Sequence, residues 1–426
     1  MAPPEKKPRR AIVAAVHKPG VPDGEFESSL AELRQLAKTL GFQVVATFTQ
    51  KRAGFDSAGY FGEGKREELK ALVEAEVADA ILIDHEISPS QAHTIEKEAG
   101  REVMDRTMVI LEIFHRHARS KAARAQVEIA RLGYMAPRLR EAAKLAGPKD
   151  RARSGTGGRS GGESHGELDR RKIRDRIAEL QKELDGMSAE RRTQRARRKE
   201  RQGLARVALV GYTNAGKSTL MRALTGSEAL VADKLFATLD TTVRALHPEA
   251  VPRILVSDTV GFIKNLPHAL VVSFKSTLDE ALEASLLVHV VDASDPGFER
   301  QLAVTDEVLD EIGAKGVPRL LVFNKIDRGG DAALLRRQYP ECIVMSARNP
   351  EDVARLHARI VAFFAKDLVE AELFLPWSAQ SHRGEIFSAC EVLGERADAE
   401  GAHLAVRGEP ATVKRLKKQF GRGKAA

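Results

Sequence analysis

At 426 residues with 43% apolar composition the chain can fill two to four ordinary cores, and its two cysteines, Cys342 and Cys390, allow at most one disulfide and form no zinc motif. No run of about 18 apolar residues marks a membrane span, and the basic start "MAPPEKKPRR" lacks the apolar stretch of a signal peptide. A cytoplasmic protein is expected, a basic organellar tail being the alternative, and the net charge of +8 favours polyanionic partners.

The first third alternates. "AIVAAV" (11–16), "VVATFT" (44–49) and "ILID" (81–84) read as short buried strands, and the segments between them carry helical spacing. That order predicts a small parallel α/β domain over 1–105. No GxGxxG follows the first strand, so no dinucleotide site is expected there. A long helix is predicted from Thr107 to about Tyr134 and a second from near Leu168, in which Ile173, Ile177, Leu180, Leu184 and Met187 form the seam of two packed helices. Between them lies "RARSGTGGRSGGESHGELDRR" (151–171), too rich in glycine and serine to pack as a core element. Residues 106–203 therefore read as a helical hairpin. From Ala136 to Arg201 there are twenty Lys or Arg against eleven Asp or Glu. Such charge serves either as a solvated helix face or as a contact to a phosphate backbone.

At residue 206 the pattern changes, opening a domain over 204–368. "RVALVG" is a strand, "GYTNAGKST" follows, and "LMRALTG" is helical, so GxxxxGK[ST] stands in a strand-loop-helix setting. Backbone N–H groups from Asn214 to Lys217 would ring phosphates at a helix N-terminus, where orphan donors and the dipole favour negative charge. Gly211, Tyr212, Thr213, Ala215, Gly216 and Thr219 complete the loop. Lys217 is expected to reach the β- and γ-phosphates, and the Ser218 hydroxyl to ligate Mg2+. "RILVSDTVG" ends a second strand: Asp258 would hold the metal through water, Thr259 and Val260 follow, and Gly261 offers an N–H to the γ-phosphate. "RLLVFNKID" ends another in Asn324, Lys325, Ile326 and Asp327, whose carboxylate can accept both donors of a guanine edge. "CIVMSAR" brings Ser346, Ala347 and Arg348 to the base. Four pieces in this order predict a P-loop domain that binds GTP. Within Phe236, Ala237, Thr238, Leu239 and Asp240, Thr238 is the candidate metal ligand; Thr241 and Thr242 are rivals. Phe262 stands where many GTPases carry a water-orienting glutamine, and a phenyl ring cannot take that role.

"LFATLD", "DTVGFIKNLPHALVVSFKSTLDEA" and "LLVHVVDASDP" resemble the HflX family within the Obg–HflX branch of translation-factor-type GTPases, as do "YFGEGKREEL" (60–69), "SPSQAHTIEKEAG" (88–100) and "MDRTMVILEIFHRHA" (104–118). The resemblance implies a slow GTPase that associates with the large ribosomal subunit, inserts its basic hairpin into ribosomal RNA, and splits or rescues stalled ribosomes. It also implies an apolar residue after "DTVG", so water must be oriented by something other than residue 262. In related GTPases the position of Asn214 helps hold K+ beside the β- and γ-phosphates; here Asn214 either does so or stabilises the turn. Lys217, Gly261 and Asn214 are thus the catalytic candidates. The chain departs from the family at the hairpin loop, "SGGESHGELDRR" replacing a sequence close to "GPGETQLETDRR", and at "LDTTVR" for "LDPTTR". The remainder, 369–426, reads as a small α/β domain with a basic tail, in which Trp377 is expected to pack rather than to stack on a base. A monomer is expected. The competing function is a GTP-controlled switch that docks a protein effector through the N-terminal domain.

Overall fold

The computed structural model describes residues 8–145, 171–187, 205–226, 235–236, 242–251, 253–264, 266 and 281–420. The chain divides into two compact units, one of residues 1–187 with 233–239 and 264–275, the other of residues 188–232, 240–263 and 276–426.

The first unit is built on four parallel strands, β1 (Arg9–His17), β2 (Phe42–Lys51), β3 (Ala80–Ile83) and β4 (Glu102–Asp105), in the order β2-β1-β3-β4. Three of them coincide with the apolar runs. β4, sequence EVMD, has no such run and escapes that criterion. Parallel sheets need cover on both faces. On one face Ile12, Ala14, Val16, Ile81 and Ile83 pack with Leu69 and Val73 of α2 (Glu63–Ala75) and Ile95 of α3 (Pro89–Ala99). α1 (Asp23–Thr39) and α4 (Arg106–His117) cover the other and bury Leu30, Leu33, Ile110 and Phe114.

The long helix expected from Thr107 to Tyr134 is instead two helices, α4 and α5 (Lys121–Leu145). The break has a local cause. Ala118 takes an extended conformation (φ −64, ψ 115) that ends α4, and the Ser120 hydroxyl accepts from the Ala123 N–H, as a helix N-cap does. Asp105, fully buried at the end of β4, accepts from the Met108 N–H and from Arg138 (2.5 Å) and Tyr134 of α5. Residues 171–187 are helical; Leu180 is buried, Ile173, Ile177, Leu184 and Met187 are half-buried, and the intervening positions are exposed, so the residues of the expected seam share one face. The glycine-rich residues 151–170 lie outside the described residues. Leu235 and Phe236 fold with this unit, the Phe236 ring 4.6 Å from that of Phe114.

The second unit holds a six-stranded sheet in the order β10-β9-β8-β5-β7-β6: β5 (Ala205–Val210), β6 (Thr242–Ala245), β7 (Ile254–Asp258), β8 (Leu286–Asp292), β9 (Arg319–Asn324) and β10 (Ile343–Val344). All pairs are parallel except β6 with β7. Val207, Leu209, Val256, Val288, Val290 and Val322 form its core with Leu220 and Leu224 of helix Lys217–Thr225 and Leu356 and Ile360 of helix Pro350–Ala365. A separate antiparallel sheet, β11 (Val369–Pro376), β13 (Gly401–Gly408) and β12 (Glu391–Ala397), packs Leu373, Leu375, Leu404 and Val406 against Val413, Leu416 and Phe420 of helix Pro410–Phe420. The α/β class and the P-loop domain are as expected. Trp377 is not: it is 47% exposed, its indole N–H donating to the Asp398 carbonyl (3.2 Å). It sits in a short 3-10 segment just past β11, beyond the sheet's buried face. Both cysteines are free thiols. Among the described residues no helix is long and apolar enough to cross a membrane.

Candidate nucleotide site

Strand order reverses at β5, which lies between β8 and β7. In open α/β sheets, ligands bind beyond the carboxyl ends of the strands at such a point. The phosphate loop leaves β5 there and enters helix Lys217–Thr225. Gly216 has φ +97, and a Cβ on it would lie 2.3 Å from Asn324 Nδ2, so no other residue fits. Asn214 is exposed, with φ +59.

Lys217 is buried at 6% exposure, its Nζ donating to the carbonyls of Gly211 (2.9 Å) and Tyr212 (2.7 Å). Burial pulls its pKa down to about 8; Lys325 acts in the same direction, and Asp258 opposes both. The Ser218 hydroxyl donates to Asp258 Oδ2 at 2.8 Å. A hydroxyl and a carboxylate this close are hard oxygen donors of the kind Mg2+ takes from protein while completing its shell with phosphate and water, so these residues fit that ion. Two other candidates on this segment are turned inward: the Thr259 hydroxyl donates to the Leu209 carbonyl (2.7 Å), and Val260 is buried. Any ligand contact of theirs falls to the backbone. Phe236 belongs to the other unit through its packing on Phe114. Ala237, Thr238, Leu239, Asp240 and Thr241 lie outside the described residues, and Thr242 begins β6 opposite Asp258.

The residues expected beside the base converge. Asn324 bridges two loops, its Nδ2 donating to the Ala215 carbonyl (3.0 Å) and its Oδ1 accepting from the Ala347 N–H (2.9 Å). Ser346 is fixed by Asp352, which accepts from its N–H (2.8 Å), and the Ser346 hydroxyl accepts from the Arg348 N–H (3.2 Å). Asp327 stands exposed in the 3-10 turn Ile326–Arg328. A hydrogen bond from the Ser346 side chain holds its carboxyl below the usual range, with help from Arg348 and Arg328, so it remains a two-oxygen acceptor.

Sequence reading missed Asp292. Its Oδ2 accepts from Lys325 Nζ (2.7 Å), which also donates to the Asn214 carbonyl (2.6 Å), while its Oδ1 accepts from the N–H and hydroxyl of Ser294. Lys325 is thereby pinned across the phosphate loop. The available signal was positional: Asp292 ends β8 as Asp258 ends β7 and Asn324 ends β9. Asp292→Ala should release Lys325 and speed GDP dissociation about tenfold, the scale of one charge-assisted hydrogen bond. Stopped-flow release of fluorescent GDP measures it, and the preference for guanine over adenine should stay.

Three family models match in succession: "GTP-binding GTPase N-terminal" over 27–115, "GTP-binding GTPase Middle Region" over 117–198 and "50S ribosome-binding GTPase" over 206–325. A curated relative from Gluconacetobacter diazotrophicus, "GTPase HflX", is 50% identical, the match covering 96% of this chain and 97% of that one. The chain belongs to the HflX family of GTPases. A second HflX, from Caldanaerobacter subterraneus, is 40% identical over 95% of this chain and 91% of its own. Among solved structures, a GTP-binding protein from Sulfolobus solfataricus in complex with GDP aligns at TM-score 0.45 and 25% identity, covering 84% of this chain and 99% of that one. Membership of that family makes the chain a GTP-binding enzyme that hydrolyses GTP.

A pH dependence follows for this HflX chain. Paired with phosphate as its place in the loop suggests, Lys217 would be protonated, whereas burial brings its pKa in the free protein down to about 8. Phosphate raises that pKa, so binding takes up a proton above pH 8. GDP affinity should be flat below pH 8 and fall as pH rises beyond it, by up to about tenfold per pH unit. Isothermal titration at pH 7 to 9.5 reads the fall, and Lys217→Arg should flatten it because guanidinium stays charged throughout.

Proposed function

We propose that this GTPase binds the large ribosomal subunit through ribosomal RNA and uses GTP binding and hydrolysis to split or rescue stalled ribosomes. The observation that carries the reading is the charge of residues 136–201, where twenty Lys or Arg face eleven Asp or Glu, an excess larger than the net charge of the whole chain. The "50S ribosome-binding GTPase" description of the family model over 206–325 supports the same partner. Within the site, the Ser218 hydroxyl is assigned to Mg2+ with Asp258 behind it and Thr238 from the neighbouring loop, Lys217 and the Gly261 N–H to the γ-phosphate, and Asp327 to the guanine edge with Ser346 and Ala347 beside it. Magnesium, when bound, neutralises charge between the β- and γ-phosphates. The buried Phe262 ring leaves the catalytic deficit to Asn214, which is exposed on the loop and would hold K+, or to a group donated by the ribosome.

One experiment separates these sources and tests the partner. Single-turnover GTP hydrolysis is measured in K+ and in Na+, with and without large subunits, for wild type and for a deletion of residues 155–166. Hydrolysis should be slow alone and rise about a thousandfold or more with subunits, the scale of an arginine finger. The deletion should lose that stimulation while keeping free GTP affinity. Cosedimentation should weaken steeply between 50 and 200 mM salt, as binding through several phosphates does. Salt-insensitive binding would favour an apolar protein effector, and equal rates in the two cations would reject K+.

A further inference from the structure

Helix α5, which leads into the basic segment, is packed over its first half only. Ala122, Ala123, Ala125, Val127 and Ala130 are buried, and the helix lies against α3 and α4. Beyond Ala130 no described side chain of the helix is buried, and Gly133, Pro137 and Leu139 are exposed. The turn at which the helix leaves its support is weak by composition. Pro137 has no N–H, so the Gly133 carbonyl loses its helical partner. Glycine weakens a helix further, and packing does not require one here, since a Cβ on Gly133 would meet no atom within 4 Å. This turn is gripped from the side. Asp105, fully buried, caps α4 with Oδ1, which accepts from the Met108 N–H (2.8 Å). Its Oδ2 accepts from the Ile87 N–H (3.3 Å), from Arg138 Nη2 (2.5 Å) and from the Tyr134 hydroxyl. Arg138 Nη2 also donates to the Tyr134 hydroxyl (3.3 Å), with the guanidinium carbon 5.0 Å from the ring centre. Burial, and then Asp105, push the pKa of Tyr134 upward, so the hydroxyl stays a donor.

We propose that Tyr134 and Arg138, clasped by Asp105, are positioning residues that aim the basic hairpin, with the turn from Gly133 to Pro137 as its pivot. The inference rests on the reading that residues 136–201 meet ribosomal RNA. One buried carboxylate serves two helices: it starts α4 and fixes the direction in which α5 leaves the sheet. Without the clasp, the turn that lacks a backbone hydrogen bond and carries a glycine is free to bend. A bend of about 20° there moves Leu145, about 12 Å farther along the helix, by about 4 Å. That displacement exceeds what a hydrogen bond to a phosphate tolerates. Tyr134 and Arg138 touch no nucleic acid in this scheme; they act through the helix that carries the basic residues.

The test uses the full chain and the double variant Asp105→Asn/Arg138→Met, which removes both charges together and leaves no buried charge unpaired, while asparagine still caps α4. Hydrogen exchange at the amides of residues 131–145 should accelerate about tenfold or more, and exchange over 121–130 should not change. The concentration of large ribosomal subunits giving half-maximal GTP hydrolysis should rise about tenfold, with the maximal stimulated rate, the unstimulated rate and GDP affinity in place. Adding Gly133→Ala, which stiffens the pivot and fits without a clash, should recover that concentration several-fold. Unchanged exchange over 131–145 overturns the clasp. Faster exchange with an unchanged half-maximal concentration shows that the clasp holds the helix without aiming it. A fall in the maximal rate that Gly133→Ala does not recover makes the network structural only. If large subunits neither bind nor stimulate the wild-type chain, the ribosomal reading fails and the aiming role with it, whereas exchange still decides the clasp. Should the double variant not fold, Tyr134→Phe, which removes one hydroxyl and no charge, should give the same pattern at smaller scale, and its absence overturns the proposal.

Discussion

Asp327→Asn should lower affinity for GDP and GTP by at least about a hundredfold and turn the site towards xanthine nucleotides. Guanine offers two adjacent donors, N1–H and the 2-amino group, to which an aspartate presents two acceptors. Asparagine replaces one acceptor with an N–H2 that meets the guanine amino group donor to donor, and a donor left unpaired against a bound base in this way costs about 3 kcal/mol. Xanthine carries a carbonyl where guanine carries the amino group, so the same asparagine satisfies both of its edge groups. The carboxylate is well prepared: the Ser346 side chain bonds it and keeps it ionised into acid, and Ser346 is itself held by Asp352. Competition titrations of GDP, XDP and ADP on wild type and variant decide the matter. Unchanged GDP affinity in the variant would remove Asp327 from the base pocket.

Residues that stand in short motifs were legible in the sequence as candidates. Asn324, Lys325 and Asp327 are the proposed base pocket because a strand, then that triplet, is a rare arrangement, and the fold brings Asn324 onto both Ala215 and Ala347. Gly216 and Lys217 were legible for the same reason. Asp292 was not, since an aspartate ending a strand has many uses, and only the three-dimensional approach of Lys325 selects one of them. Buried ionic groups were equally hidden. Arg106 is 2% exposed and bonded to Asp84 and Glu32, residues far apart in the chain whose pairing no local pattern announces. The break between α4 and α5 was missed because apolar spacing continues across it; the Ser120 cap that causes it is one hydroxyl. Trp377 was misjudged because a lone tryptophan in an apolar stretch reads as core, whereas burial in β11 alternates and leaves that end of the strand at the surface.

Phe262 shows how burial changes a chemical question. From sequence alone its substitution by alanine concerns only catalysis, and a ring without a polar role should be dispensable to within a few-fold. The structure makes it a core residue at 1% exposure beside the fully buried Ile263. Phe262→Ala is therefore expected to cost about 3–5 kcal/mol of stability in its unit, the usual range for a buried phenylalanine cut to alanine. Thermal melting of that unit should fall by roughly 10 °C, and saturating GDP should recover part of it by mass action. Hydrogen exchange at the Thr213 and Phe262 amides, the two donors of the bridge to the phosphate loop, should accelerate more than exchange in the C-terminal sheet of β11–β13. An unchanged melting temperature with unchanged exchange would mean that the ring is not packed as described. Glutamine at the same position makes the sharper case. Its amide would enter a site lined for a phenyl ring, so it either loses stability as an unsatisfied polar group or swings outward and carries Gly261 with it. Neither outcome holds a water in line with the γ-phosphate, which needs geometry fixed to a fraction of an ångström. Phe262→Gln should be less stable than wild type and no faster in single-turnover hydrolysis, so the rate enhancement absent from residue 262 has to enter the site from its solvent side, where Asn214 stands exposed.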